Sequence, residues 1–189
     1  RCADVTGVQT CALPISGIPW RRQSNMQKMP VRALFALITM LLLPVTALAQ
    51  QMTIADTVLK MPLAEDVTAD DAIDSMKLRA NALNFKLVAH LPLYKELLSL
   101  GVESRRVEIF QFCDARIAHA MISHDVDFSA YLPCRITLIE DKNGDTWLVT
   151  LDLDLVIRTA DLTPELMEKA VYVRDTIREI MEAGANGDL

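Results

Sequence analysis

Four side chains within one short stretch have the types that do chemistry: Cys113, His119, His124 and Cys134. Two thiols and two imidazoles this close suit three chemistries. The cysteines can form a structural disulfide, they can act as a reversible redox pair, or all four residues can ligate a metal ion. Spacing weighs against the metal. Cys-x5-His-x4-His matches none of the zinc patterns, and no Cys-x-x-Cys-His is present for covalent haem. No cofactor is expected, and His119 and His124 are only weak candidates for metal ligands. A Cys-x-x-Cys arrangement that would depress a thiol pKa is also missing, although Arg116 and Arg135 place positive charge near the sulfurs. A structural Cys113–Cys134 disulfide is therefore the first expectation. Each cysteine sits at a strand boundary, and antiparallel neighbours would bring the Cα atoms within about 4.4–6.8 Å. The bond would close a loop of roughly 20 residues and stabilise the fold by about 3 kcal/mol on the chain-entropy model.

Other polar residues read more simply. His119 and His124 are five apart, so they do not share a helix face as an i,i+4 pair does. His124 falls near a helix C-terminus, where a cation is favoured. His90 lies in an apolar strand and reads as a satisfied core histidine. Asp152 and Asp154 alternate along one expected strand face, and the reading preferred for them is a solvated face rather than a carboxylate pair. No nucleophile elbow, zinc-protease motif, phosphate loop or dinucleotide fingerprint occurs, so no catalytic residue is assigned.

The elements that must position the cysteines follow from local patterns. Met52 to Met61 leans to strand and ends at Pro62. Thr68 and Asp71 form a capping-box start for a helix over Ala69 to Leu83, with Asn84 as its stop. Phe85 to Leu91 reads as a short buried strand, Leu93 to Leu100 as a helical turn closed by Gly101, and Val107 to Phe112 as the clearest strand. A helix over Ala115 to Ser123 and a loop over Asp125 to Pro133 come next. Arg135 to Glu140 and Trp147 to Leu155 flank an Asn143-Gly144 tip, a hairpin signal. Thr163-Pro164 opens a last helix, which Gly184 is expected to end. The order predicts an α+β fold: a mainly antiparallel sheet of about five strands with helices packed on one face, in two layers.

Length and composition bound the whole. The chain has 189 residues and is 51% hydrophobic, with a formal net charge of −6, which suits about one domain. Its mean hydropathy of +0.22 is high for an ordinary soluble domain. The N-terminus accounts for the excess. Residues 5–16 resemble the translation of a sequencing-library adapter, so residues 1–25 are set aside as a non-native leader. Translation is expected to start at Met26 or Met29. Residues 26–49 then read as a signal peptide: Lys28 and Arg32 supply a basic start, Ala33 to Leu43 an apolar run, and Ala47-Leu48-Ala49 a cleavage site. Cleavage after Ala49 would leave residues 50–189 as one periplasmic α+β domain with no stable membrane insertion. That domain carries 14 basic and 24 acidic side chains, a net charge of −10, which repels phosphate backbones and argues against nucleic acid as a partner. Export would also deliver Cys113 and Cys134 to an oxidising compartment.

Val107-Glu-Ile-Phe-Gln-Phe-Cys-Asp114, a short helix, Leu132-Pro-Cys-Arg-Ile136, an acidic turn and Trp147-Leu-Val-Thr-Leu-Asp152 together resemble the domain of unknown function 302 family over about Val58 to Ile157. Here Phe112-Cys113-Asp114 stands where that family more often has Phe-Gly-Asn-Pro, and Cys134 follows the Leu-Pro pair. The departures fall at the two cysteines. The resemblance implies a sheet-plus-helices fold of TATA-binding-protein-like arrangement and a possible homodimer, with no settled activity. The expected function is a non-enzymatic, exported module that binds a small ligand or a protein. The alternative is a periplasmic thiol-redox or metal-handling protein that uses Cys113 and Cys134 with His119 or His124.

Overall fold

Strand β3 (Val107–Cys113) sets the pattern of the sheet, burying Glu108, Phe110 and Phe112 while the alternate side chains stay half-exposed. Its neighbour β4 (Cys134–Glu140) buries Cys134, Ile136 and Leu138, and β5 (Thr146–Leu151) buries Leu148 and Thr150. Register brings these residues onto one face: Phe110 lies opposite Ile136, Phe112 opposite Cys134, and Leu138 opposite Leu148. The computed structural model describes residues 52–188, within one compact unit of the chain, Gln50–Leu189. The features read in residues 1–49 lie outside the described residues. Strands β1 (Val58–Pro62) and β2 (Lys86–Leu91) complete an all-antiparallel sheet of order β1-β5-β4-β3-β2.

Two helices cover the apolar face. Helix α1 (Ala69–Ala82) contributes Ala72, Ile73, Met76 and Ala80, and α5 (Pro164–Asn186) contributes Ile177, Ile180 and Met181. These join Phe85, Phe110, Phe112, Ile136, Leu138 and Leu148 in a single core. Each fully buried side chain of this size contributes about 1.5–3 kcal/mol. The caps are those expected. Thr68 Oγ1 accepts a hydrogen bond from Asp71 N at 3.1 Å while Asp71 accepts one from Thr68 N at 3.2 Å, and Thr163 caps α5 ahead of Pro164. The chain is the two-layer α+β fold with five antiparallel strands that the sequence predicts.

The structure departs from the sequence reading at several points, each with a local cause. Met52 to Thr57 is not strand. Asp56 accepts hydrogen bonds from the Thr53 amide and hydroxyl, which winds Ile54–Thr57 into a short 3-10 helix ahead of β1. Strand β2 lies at the sheet edge and all six of its residues are exposed, so it is not the buried strand expected. Val126–Tyr131, expected as loop, forms a 3-10 helix. Helices α2 (Leu93–Ser99) and α3 (Ala115–His124) stand within one residue of their expected bounds.

Two differences are larger. Strand β5 stops at Leu151, and the chain turns into helix α4 (Leu153–Thr159), which the alternation of Trp147 to Leu155 had concealed. Asp152 decides this, because its carboxylate accepts a hydrogen bond from Asp154 N at 2.9 Å and starts the helix. Gly184 does not end α5. The helix continues to Asn186, and Gly187, with φ 69°, takes the left-handed position after it.

Candidate functional site

Beyond the end of the core, α3, α4 and α5 close over the sheet and leave a cavity of about 70 Å³. Its floor is Phe85, Phe112, Cys113 and Cys134, where β3 ends and β4 begins. Each remaining wall presents one periodic helix face. Ile117, Ala118 and Met121 come from α3, Leu153, Val156, Ile157 and Ala160 from α4 and the turn after it, and Ala170 and Val173 from α5. Phe128, Tyr131 and Leu132 of the connection between α3 and β4 supply the last side.

Asp114 places α3. Its Oδ1 accepts hydrogen bonds from the backbone N–H of Arg116 at 2.8 Å and Ile117 at 3.2 Å, so the helix starts directly after β3 and turns Ile117 inward. Asp114 is the one carboxylate in the cavity lining, and the helix terminus occupies it. The lining is otherwise apolar except for two thiols and the Tyr131 phenol. Such a space excludes water and favours hydrocarbon.

Cys113 and Cys134 both line this cavity, yet both are free, and the expected disulfide is not formed in this structure. Cys134 pairs with Phe112 and Cys113 with Lys86 on the other side, so the two cysteines are one residue out of step along the sheet. Burial, with Cys113 nearby, pushes the Cys134 thiol up to about 11, and burial followed by the Asp114 charge raises that of Cys113. Both stay neutral thiols at physiological pH, whatever charge Arg116 and Arg135 bring. Both arginine side chains are exposed and form no ion pair among the described residues.

The histidines stand apart from the thiols. His119 is exposed on α3, and His124 Nε2 donates to the Asp161 carbonyl at 2.7 Å. Neither lines the cavity. Among the described residues no group of three or more His, Cys, Asp or Glu is placed to hold a metal ion, so the Cys-His constellation is not assembled. Asp152 and Asp154 are not a strand-face pair either. Asp152 caps α4, and Asp154 receives Arg174 at 2.9 Å and Arg178 at 3.0 Å from α5, which hold its carboxyl below the usual range.

One polar cluster escaped the sequence reading. Glu108 is buried, and its carboxylate bridges His90 Nε2 at 2.7 Å and Arg106 Nε at 2.7 Å. Arg106 also reaches Asp70 of α1 at 2.6 Å. The His90 ring stacks on Phe110 at 4.3 Å between centroids. His90 is thus satisfied as expected, though by a buried acid at a sheet edge rather than within a core strand. The available signal was parity: Glu108 shares the strand face of Phe110 and Phe112, where a charge requires a partner.

A five-stranded antiparallel sheet backed by helices on one face, with an apolar pocket beyond its core, defines a small α+β domain. The chain belongs to the family described as domain of unknown function DUF302, whose model matches residues 59–184. The match runs past Ile157, where the recognisable sequence motifs end, and takes in most of α5. The fold is similar to the crystal structure of an uncharacterized conserved protein DUF302 from Bacillus stearothermophilus, with a TM-score of 0.57 and 14% identity over 67% of this chain and 97% of that one. Among curated proteins none matches the chain. No helix of the described residues is long and apolar enough to cross a membrane.

Proposed function

We propose that this chain is an exported, non-enzymatic binding module that takes the apolar part of a small ligand into the cavity under α3, α4 and α5. The observation that carries the reading is the lining: three helix faces and two strand ends converge on one space, and the single carboxylate there is committed to capping α3. A well-formed apolar space with few polar groups is the usual form of a small-molecule site. Neutral thiols at Cys113 and Cys134 suit the same role, since each behaves as a small hydrophobe when buried. The basic and apolar segments between Lys28 and Ala49 support export, and the net charge of −10 on residues 50–189 supports a ligand rather than a nucleic acid or an anionic membrane.

The test is a titration of the purified domain with 1-hexanol, followed by methyl NMR and thermal shift. Saturable shifts confined to cavity residues, with a raised melting temperature, are expected. Ala118→Phe, which fills the space from α3, should abolish them while circular dichroism stays unchanged. A folded domain whose cavity methyl signals do not respond would overturn the reading. Export is tested separately by N-terminal sequencing of the periplasmic fraction, where Gln50 is the expected first residue.

A further inference from the structure

The face of the sheet turned away from α1 and α5 is not the polar surface that an antiparallel sheet usually shows to water. Side chains alternate along each strand, so the outward positions are those out of phase with the buried Phe110, Ile136 and Leu148. Register lines them up in rows across the strands. Val107 lies beside Ile139, Ile139 beside Trp147, and Trp147 beside Pro62, while the next row runs from Ile109 through Thr137 and Val149 to Lys60. The apolar residues are therefore contiguous, and each is exposed or half-exposed. Five strands about 4.8 Å apart and about 20 Å long present a plane of roughly 500 Å². With side chains in relief, such a face approaches the about 800 Å² that each partner of a standard interface buries.

Charge is confined to the margins of this face. Lys60 and Lys86 lie on the two edge strands, where a long side chain reaches past the rim to water, and Arg135 lies near the start of β4. No outward strand position holds a carboxylate. The acid stands at the other end of β4, where Asp141 shares a shallow depression with Lys60, Ile139, Trp147 and Val149. Its carboxylate is fixed there by the backbone N–H of Asn143 at 2.8 Å and of Asp145 at 3.1 Å, and by Trp147 Nε1 at 3.3 Å.

We propose that this face packs against the same face of a second copy of the chain, in a two-fold dimer whose axis crosses β4 at Leu138. Such an axis lies between the two sheets and runs across the strands, so it reverses each strand over its counterpart. Arg135 and Asp141 stand equally far from Leu138 on either side. Each Arg135 therefore comes over the partner's Asp141 end, and the apolar rows meet between the two charged ends. Sheets packed face to face lie about 10 Å apart, a gap that an arginine and a carboxylate extended from opposite sides can span. A second copy fits better than an unrelated partner because the face complements itself, with a cation at one end of β4 and an acid at the other. An uncharged centre with charge at its rim is also the usual anatomy of an interface. The lack of outward carboxylates matters in a domain with ten more acids than bases, where like charge would otherwise hold two copies apart.

The test is sedimentation velocity of the purified protein over a range of roughly 1 to 200 μM. Wild type is expected to sediment as a dimer at the upper end, with a Kd of about 10 μM or tighter. Val149→Glu and Ile139→Glu should each give a monomer with unchanged circular dichroism, because both side chains already meet water in the single chain. Arg135→Glu should weaken the dimer at least about tenfold, since it sets two acids against each other. On dilution, methyl NMR signals of Ile109, Ile139 and Val149 should move while those of the core residues Ile177 and Ile180 stay in place. A wild type that stays monomeric at the highest concentration would overturn the proposal, as would a dimer that survives both Val149→Glu and Ile139→Glu. A dimer lost in those two variants but indifferent to Arg135→Glu would overturn the two-fold arrangement through Leu138.

Discussion

Gly184 of α5 lies directly against Met76 of α1, so close that a Cβ at position 184 would stand 2.6 Å from Met76 Cγ and 3.0 Å from Leu148 Cδ1. The contact sits where both helices meet the sheet. Alanine is the better helix former by about 1 kcal/mol, which by itself favours Gly184→Ala. Overpacking opposes it with about 1–3 kcal/mol, because Ala72 O lies 3.2 Å away on a third side and the methyl has no direction in which to relax. The variant is expected to unfold at lower urea than wild type with an unchanged slope. A higher midpoint would show that Met76 moves aside freely.

Glu108 is the buried charge on which the β2 edge depends. Replacing it with Ala leaves Arg106 and His90 facing a void on a strand otherwise packed with Phe110 and Phe112, and a loss of about 3 kcal/mol is expected. Glu108→Gln keeps the shape and one acceptor, so its loss should be smaller. Equilibrium urea unfolding of both variants checks the order, and equal, small losses would sink the idea that the charge matters.

Asp154 joins α4 to α5 through Arg174 and Arg178, and those hydrogen bonds lower its pKa. A carboxyl with a lowered folded-state pKa contributes stability above its unfolded value and loses it as pH falls through the folded value. Asp154→Asn should therefore cost about 1 kcal/mol at pH 7. The difference between wild type and variant should shrink as pH drops below the ordinary value of 3.8. Melting temperatures taken in steps from pH 7 to pH 2.5 read this directly. A gap that persists at the acid end would mean that packing, not charge, is what the substitution removes.

The reduced protein should alkylate slowly. With Cys134 near 11 against an ordinary value of 9.0, its thiolate at pH 8 is about a hundredfold scarcer than that of a free cysteine. Half-buried Cys113 should react first. Mass spectrometry of iodoacetamide-treated samples, native and in urea, gives the order of labelling. Rapid modification of Cys134 in the native state would contradict its burial.

Local chemistry made much of this molecule legible in the sequence. Thr68 with Asp71, Thr163 with Pro164, and Asn84, which adopts φ 56° after α1, mark helix ends through interactions within a few residues. The strands β3 and β4 announce themselves by alternation. The cavity was not legible in the same way. Ile117, Val156 and Val173 are ordinary helix residues until the helices that carry them converge, and no spacing along the chain encodes that.

What the sequence determined by itself is the five strands and most of the helices, though not α4, together with the sheet class and the acidic balance, because propensity, capping and period act over a few residues. Tertiary structure decided the rest. It assigned Gly184 to helix packing rather than helix termination, turned Asp152 from a strand residue into a cap, and gave Glu108 partners from β2 and from Arg106, just ahead of β3. It also set Cys113 one residue out of step with Cys134, which a pattern of two strand boundaries did not reveal. Each of these depends on which surface arrives opposite a given side chain, and that is settled by the register of the strands and the crossing of the helices.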